Sequence, residues 1–90
     1  MTHTPRSLLV TGGAGFIGCN FLRTALEADP ELRLVNLDAL TYAGHPASQR
    51  AVSEAFANRY SFVEGDIRDA QLVHDLFDKH NIDTVVHFAA

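Results

Sequence analysis

Leu8-Leu9-Val10-Thr11-Gly12-Gly13-Ala14-Gly15-Phe16-Ile17-Gly18 decides the fold of this ninety-residue chain. A short apolar strand breaks into a glycine-dense turn, and an amphipathic helix opens near Phe16. Such a break aims the free backbone N–H groups of a helix N-terminus at whatever sits above the strand. The arrangement suits a phosphate diester, and a dinucleotide in particular. The glycines read as G-x-G-x-x-G (Gly13, Gly15, Gly18) and as T-G-x-x-G-x-x-G (Thr11, Gly12, Gly15, Gly18), and the second spacing is the more telling. One glycine permits the tight turn, one lets the backbone approach the pyrophosphate, and one lets the helix pack hard on the strand.

Working outward, the pattern predicts three β-α units and a last strand. The first strand covers about Ser7–Thr11. The first helix runs from about Gly15 to Ala28, with Ile17, Phe21, Leu22, Ala25 and Leu26 on its inner face. Asp29-Pro30 ends it, because proline disfavours helix in the residue before it. Leu32–Leu37 reads as the second strand, ending at Asp38. Pro46 fits the first position of a second helix that reaches about Asn58, with Ala47, Ala51, Val52, Ala55 and Phe56 inward. Tyr60–Glu64 is the third strand and Gly65–Arg68 the following turn. Asp69 caps a third helix whose buried stripe is Leu72, Val73, Leu76 and Phe77. Thr84–Phe88 is the fourth strand.

Strands alternating with helices of this length call for a parallel sheet with right-handed crossovers. The expected architecture is a doubly wound α/β Rossmann fold with strand order 3-2-1-4, the ligand lying at the switch point beside the first strand. The fourth strand would leave one edge open, a feature proteins normally cover. On that ground residues 1–90 are expected to be the N-terminal part of a dinucleotide-binding domain, with the rest of that domain and a substrate domain elsewhere.

Composition narrows the partners. The net charge is −4, and six scattered arginines with one lysine make no nucleic-acid groove. No apolar run reaches membrane-spanning length, so no membrane partner is expected. The lone Cys19 gives no internal disulfide and suits a reducing cytoplasm, and it reads as a small buried thiol at the packed start of a helix. The five histidines lack metal spacing, and Asp69, Asp75 and Asp78 read as a solvated helix face, so no metal is assigned. His87 reads as an interior histidine satisfied by hydrogen bonds rather than as a catalyst.

Asp38 follows Gly18 by twenty positions, at the end of the second strand. A carboxylate there can accept from both hydroxyls of an adenosine ribose and would repel a 2′-phosphate, which favours NAD over NADP. Asp66 and Ile67 would sit at the adenine end, the carboxylate on the exocyclic amine and the apolar chain against the ring. The small residues of Phe88-Ala89-Ala90 would let backbone approach the cofactor. A tyrosine with a lysine four residues later, the proton-transfer pair of short-chain dehydrogenases, is missing: Tyr42 leads to Pro46, Tyr60 to Glu64, and Lys79 follows Asp75. These ninety residues can hold a cofactor but contain no catalytic residue for that chemistry.

The T-G-G-A-G-F-I-G start, Asp38, Gly65-Asp66-Ile67-Arg68-Asp69 and the His87-Phe88-Ala89-Ala90 ending together resemble the extended short-chain dehydrogenase/reductase family, whose members act on nucleotide sugars. Leu37-Asp38-Ala39-Leu40-Thr41-Tyr42-Ala43-Gly44 looks more specifically like the dTDP-glucose 4,6-dehydratases. His45-Pro46 and Cys19 depart from that pattern. The resemblance implies that Phe16 and Ile17 meet the pyrophosphate through their backbone, alongside Gly12, Gly15 and Gly18. Asp38, Ala39, Leu40 and Thr41 would hold the ribose, Asp66 and Ile67 the adenine, and Phe88, Ala89 and Ala90 the path toward nicotinamide. It also implies a lyase reaction on a nucleotide sugar in the full-length protein, with NAD⁺ regenerated, and a homodimer. Another nucleotide-sugar epimerase or decarboxylase of the same family, or a non-catalytic dinucleotide-binding module, are the alternatives.

Overall fold

The computed structural model describes residues 4–12, 16–39 and 46–88, without the side chains of Phe16 and of residues 46–49. Strands β1 (Ser7–Thr11), β2 (Arg33–Asp38), β3 (Tyr60–Glu64) and β4 (Thr84–His87) alternate with helices α1 (Phe16–Ala28), α2 (Pro46–Ala55) and α3 (Ala70–His80). The four strands form one sheet in the order β3-β2-β1-β4, every pairing parallel. This is the doubly wound arrangement that the sequence predicts.

Alternation along β1 explains why the sheet is covered on both faces. Leu8 and Val10 point into a core with Leu22 and Leu26 of α1, Val52 of α2, and Leu34 and Tyr60. Leu9 points the other way, to Leu76 of α3 together with Val35 and Leu37. Successive side chains on a strand face opposite sides, so a strand buried on both faces must be apolar throughout. β1, with neighbours on both edges, is buried along its whole length, whereas β3 and β4 at the sheet edges are largely exposed.

Several expected inner-face residues sit elsewhere. Ile17 is 72% exposed. The buried stripe of α1 centres on Gly18, Cys19, Leu22 and Leu26, and at 3.6 residues per turn Ile17 lies on the far side of it. Cys19 is buried, as expected. On α2, Val52 is buried and Phe56 packs against the same core, but Ala51 and Ala55 are exposed. On α3, Leu76 is buried with Leu72 and Val73 beside it, while Phe77 at the margin of the stripe is exposed.

The second helix ends at Ala55, three residues before the expected Asn58, and Arg59 supplies the reason. Its guanidinium donates to the carbonyl oxygens of Leu26 (2.9 Å), Asp29 (2.8 Å) and Leu32 (3.0 Å), and it lies 5.3 Å over the Phe56 ring. A cation is thereby fixed at the carbonyl end of α1, where the helix dipole is negative. The chain must turn over 56–59 to deliver it.

Asp69 caps α3 as predicted, its carboxylate accepting from Leu72 N. At the other end Asn81, at φ 51°, donates its backbone N–H to Phe77 O. Asp83 then accepts from the N–H groups of Arg6 (3.0 Å) and Ser7 (3.2 Å), fixing the start of β1. Among the described residues, no helix is long and apolar enough to cross a membrane.

Candidate functional site

In a parallel sheet all the strand ends that face a ligand lie on one edge, and here that edge is stitched one step beyond each strand. Gly12 N donates to Leu37 O (3.0 Å), Gly65 N to Asp38 O (3.1 Å) and Phe88 N to Thr11 O (2.7 Å). These three bonds place Gly12, Asp38, Phe88 and the turn holding Asp66 side by side. Gly12 has φ 74°. That left-handed conformation strains any residue with a Cβ, so the chain leaves β1 through glycine. Gly18 is buried in the first turns of α1, and Cys19 after it shares a core with Leu8 and Val10 of β1.

Asp38 is the last residue of β2 and is 4% exposed. A carboxylate carried to the end of a strand between two neighbours presents acceptors to a ligand lying across the edge. Ala39 next to it is exposed. Asp66 lies one strand further, in the turn after β3. Its Oδ1 accepts from Arg68 N (2.8 Å) and its Oδ2 from Arg68 Nη2 (2.7 Å). The Arg68 guanidinium, and then the Arg68 backbone N–H, hold the Asp66 carboxyl down at about 2. Asp66 is therefore an ionised, acceptor-only group. Ile67 beside it presents an exposed apolar side chain. Gly65 makes room for this turn, since a Cβ there would overlap Leu72 Cδ2 and crowd Leu37 Cδ1 at 3.3 Å.

At the far side of β1, Thr11 Oγ1 is hydrogen-bonded to His87 Nδ1. His87 is thus satisfied as expected, but its side chain is exposed rather than interior, because β4 lies at the sheet edge with β1 as its described neighbour. Phe88 turns its ring onto Phe21 of α1, with centroids 5.4 Å apart. The structure therefore brings Gly12, Ile17, Gly18, Asp38, Ala39, Asp66, Ile67 and Phe88 to one edge. Gly15, Leu40, Thr41, Ala89 and Ala90 lie outside the described residues, as does the Phe16 side chain.

The edge offers glycine backbone, a helix N-terminus and two carboxylates in a row across three strands. Such a set of backbone donors and carboxylate acceptors fits an extended ligand with a central diester and a purine nucleoside at one end. The opposite edge does not. A cleft of about 300 Å³ there is lined by Ser7, Arg33, Asn58, Arg59, Lys79 and His80 among others, and its Arg59 is spent on backbone carbonyls. Arg59 and Arg68 read from the sequence as scattered charges, and nothing in the spacing of Arg59 marks it. Arg59 acts through contacts up to 33 positions away. Arg68 could have been suspected, because an arginine two residues after a turn aspartate can fold back on it.

A family model described as GDP-mannose 4,6 dehydratase matches residues 9–90. A dTDP-glucose 4,6-dehydratase of Mycobacterium tuberculosis is 51% identical over 83 residues, which is 92% of this chain and 23% of the relative. The dTDP-D-glucose 4,6-dehydratase of Mus musculus is 41% identical over 85 residues, 94% of this chain and 23% of the relative. The crystal structure of dTDP-glucose 4,6-dehydratase from Bacillus anthracis in complex with NAD superposes with a TM-score of 0.86 at 36% identity, over 93% of this chain and 26% of that one. A UDP-glucose-4-epimerase from Stenotrophomonas maltophila with bound NAD gives 0.76 at 33%, over 94% and 24%. The chain thus spans about a quarter of the length of these proteins. With its glycine turn, its strand order and this match in hand, the chain belongs to the GDP-mannose 4,6 dehydratase family.

Proposed function

We propose that these residues are the NAD-binding front of a nucleotide-sugar 4,6-dehydratase acting on dTDP-glucose. The observation that carries the reading is the row Gly12, Asp38, Asp66 along one sheet edge, with Gly18 buried in the first turns of α1. In this reading the α1 N-terminus with Gly12, Gly15, Phe16, Ile17 and Gly18 takes the pyrophosphate. Asp38, with Ala39, Leu40 and Thr41, takes the adenosine ribose. Asp66 accepts from the adenine amine while Ile67 covers the ring. Phe88, Ala89 and Ala90 border the path to the nicotinamide. The bound cofactor supplies a hydride acceptor for sugar C4 and a hydride donor for C6. Between those events the 4-keto group acidifies the C5 proton, and water leaves across C5–C6.

The residues that move those protons, the nucleotide-sugar pocket and a dimer interface belong, in this proposal, to chain following Ala90. The expected setting is the cytoplasm. Relatives named for dTDP-glucose support the substrate, and neighbours solved with NAD support the cofactor. The test is the full-length protein with dTDP-glucose. A 4-keto-6-deoxy product, seen as an alkali-labile chromophore, supports the proposal. Inversion at C4 without that chromophore would make it an epimerase, and NAD binding without turnover would make it a binding module.

A further inference from the structure

We infer that Arg68 is a positioning residue for purine recognition: it locks the Asp66 carboxylate in one orientation, so that the site reads an amine at the purine 6-position and rejects a carbonyl. The inference rests on the reading of Asp66 as the adenine acceptor.

Three N–H groups of one residue engage this carboxylate. Arg68 N meets Oδ1 at 2.8 Å and Nη2 meets Oδ2 at 2.7 Å. Nε lies between the oxygens, at 3.2 Å from Oδ1 and 3.1 Å from Oδ2. Donors on both oxygens fix the plane of the carboxylate, and the backbone donor fixes it to the turn itself. Nε is shared between the two oxygens at the longer distances, and the Asp66 side chain stays 41% exposed, so a further donor can still reach the carboxylate.

Stability does not explain the pair. The Arg68 side chain is 88% exposed, and exposed pairs contribute little to folding. The start of α3 is held by the neighbouring Asp69 cap, without help from the guanidinium. What Arg68 does change is the orientation of the acceptor. A carboxylate fixed in one orientation accepts from an amine placed in its plane and repels a carbonyl oxygen there. Adenine presents the amine and hypoxanthine the carbonyl. A lysine would keep the charge but lose the planar fork.

The experiment measures dissociation constants of NAD and of nicotinamide hypoxanthine dinucleotide in the full-length protein and its variants. The native protein is expected to prefer NAD by about tenfold or more. Arg68→Ala should lower that preference by about threefold or more, with the loss falling on NAD, and Arg68→Lys should not restore it. An unchanged preference in Arg68→Ala overturns the inference and leaves the reading of Asp66 standing. Equal weakening of both dinucleotides overturns it as well, since Arg68 would then only shape the turn. A native protein with no preference, unaltered by Asp66→Ala, removes the reading of Asp66 and the inference with it.

Discussion

Two residues with similar burial do different work, and substitution separates them. Asp38 is buried at the end of β2, where a ribose would offer two hydroxyl donors. Asp38→Ala is expected to weaken NAD binding by about 1.5–3 kcal/mol, the range for a hydrogen bond to a charged group. Titration calorimetry on the full-length protein checks it, and native affinity in the variant would refute the ribose assignment. Tyr60 is equally buried but faces the core, its hydroxyl accepting from Asn36 Nδ2 at 3.1 Å. Arg59 holds three carbonyl oxygens of another segment. Arg59→Ala should therefore lower stability by about 2–3 kcal/mol, read as a shift of the urea midpoint, with Arg59→Lys recovering only part. Asp38 could be picked out from its distance to Gly18. Arg59 could not, because its partners are backbone atoms of α1 and the α1–β2 connection that only folding brings near.

Elements were legible where local chemistry is strong. The bounds of β1 and β3 match expectation because each run meets an arginine before it and a glycine after it. The cap of α3 was readable from Asp69 alone. Asp69→Ala should destabilise α3 by about 1 kcal/mol, visible as faster amide exchange over 70–73 while the exchange of β1 amides stays unchanged. Helix phase was less legible. Ile17, Ala51 and Ala55 fit an apolar stripe as letters, yet the sheet beneath α1 and α2 selects a narrower face. The end of α2 was missed because it is imposed from outside by Arg59. At the candidate site the strand-end positions of Gly12 and Asp38 could be read from spacing, and that of Asp66 from the turn after β3. The two-residue spacing of Arg68 from Asp66 hints at its grip, but the Thr11–His87 link, 76 positions apart, leaves no such local signal.

Across the whole molecule the two-sided core sets the response to pH. Burial, ahead of smaller effects from Cys19 and Asp38 and against the Asn36 hydrogen bond, pushes the Tyr60 phenol up to about 12. An unfolded tyrosine ionises near 10, so the unfolded state loses its proton first. The Tyr60 contribution is complete below about pH 10 and fades as pH rises toward about 12. Tyr60→Phe should remove that part of the alkaline decline. At neutral pH the same change should cost about 1–3 kcal/mol, because Asn36 loses that acceptor. Chemical denaturation from pH 7 to 12 tests both. Asp83 carries a different consequence. It fixes the opening of β1 from 77 positions away, and β4, which completes the pairing of β1, follows it directly. During synthesis from the amino end, β1 leaves the ribosome first but waits for 77 further positions before its start is clamped. Among the four described strands the earliest made has to wait for the latest, so β1 is held open while the two strands and three helices between them are synthesised.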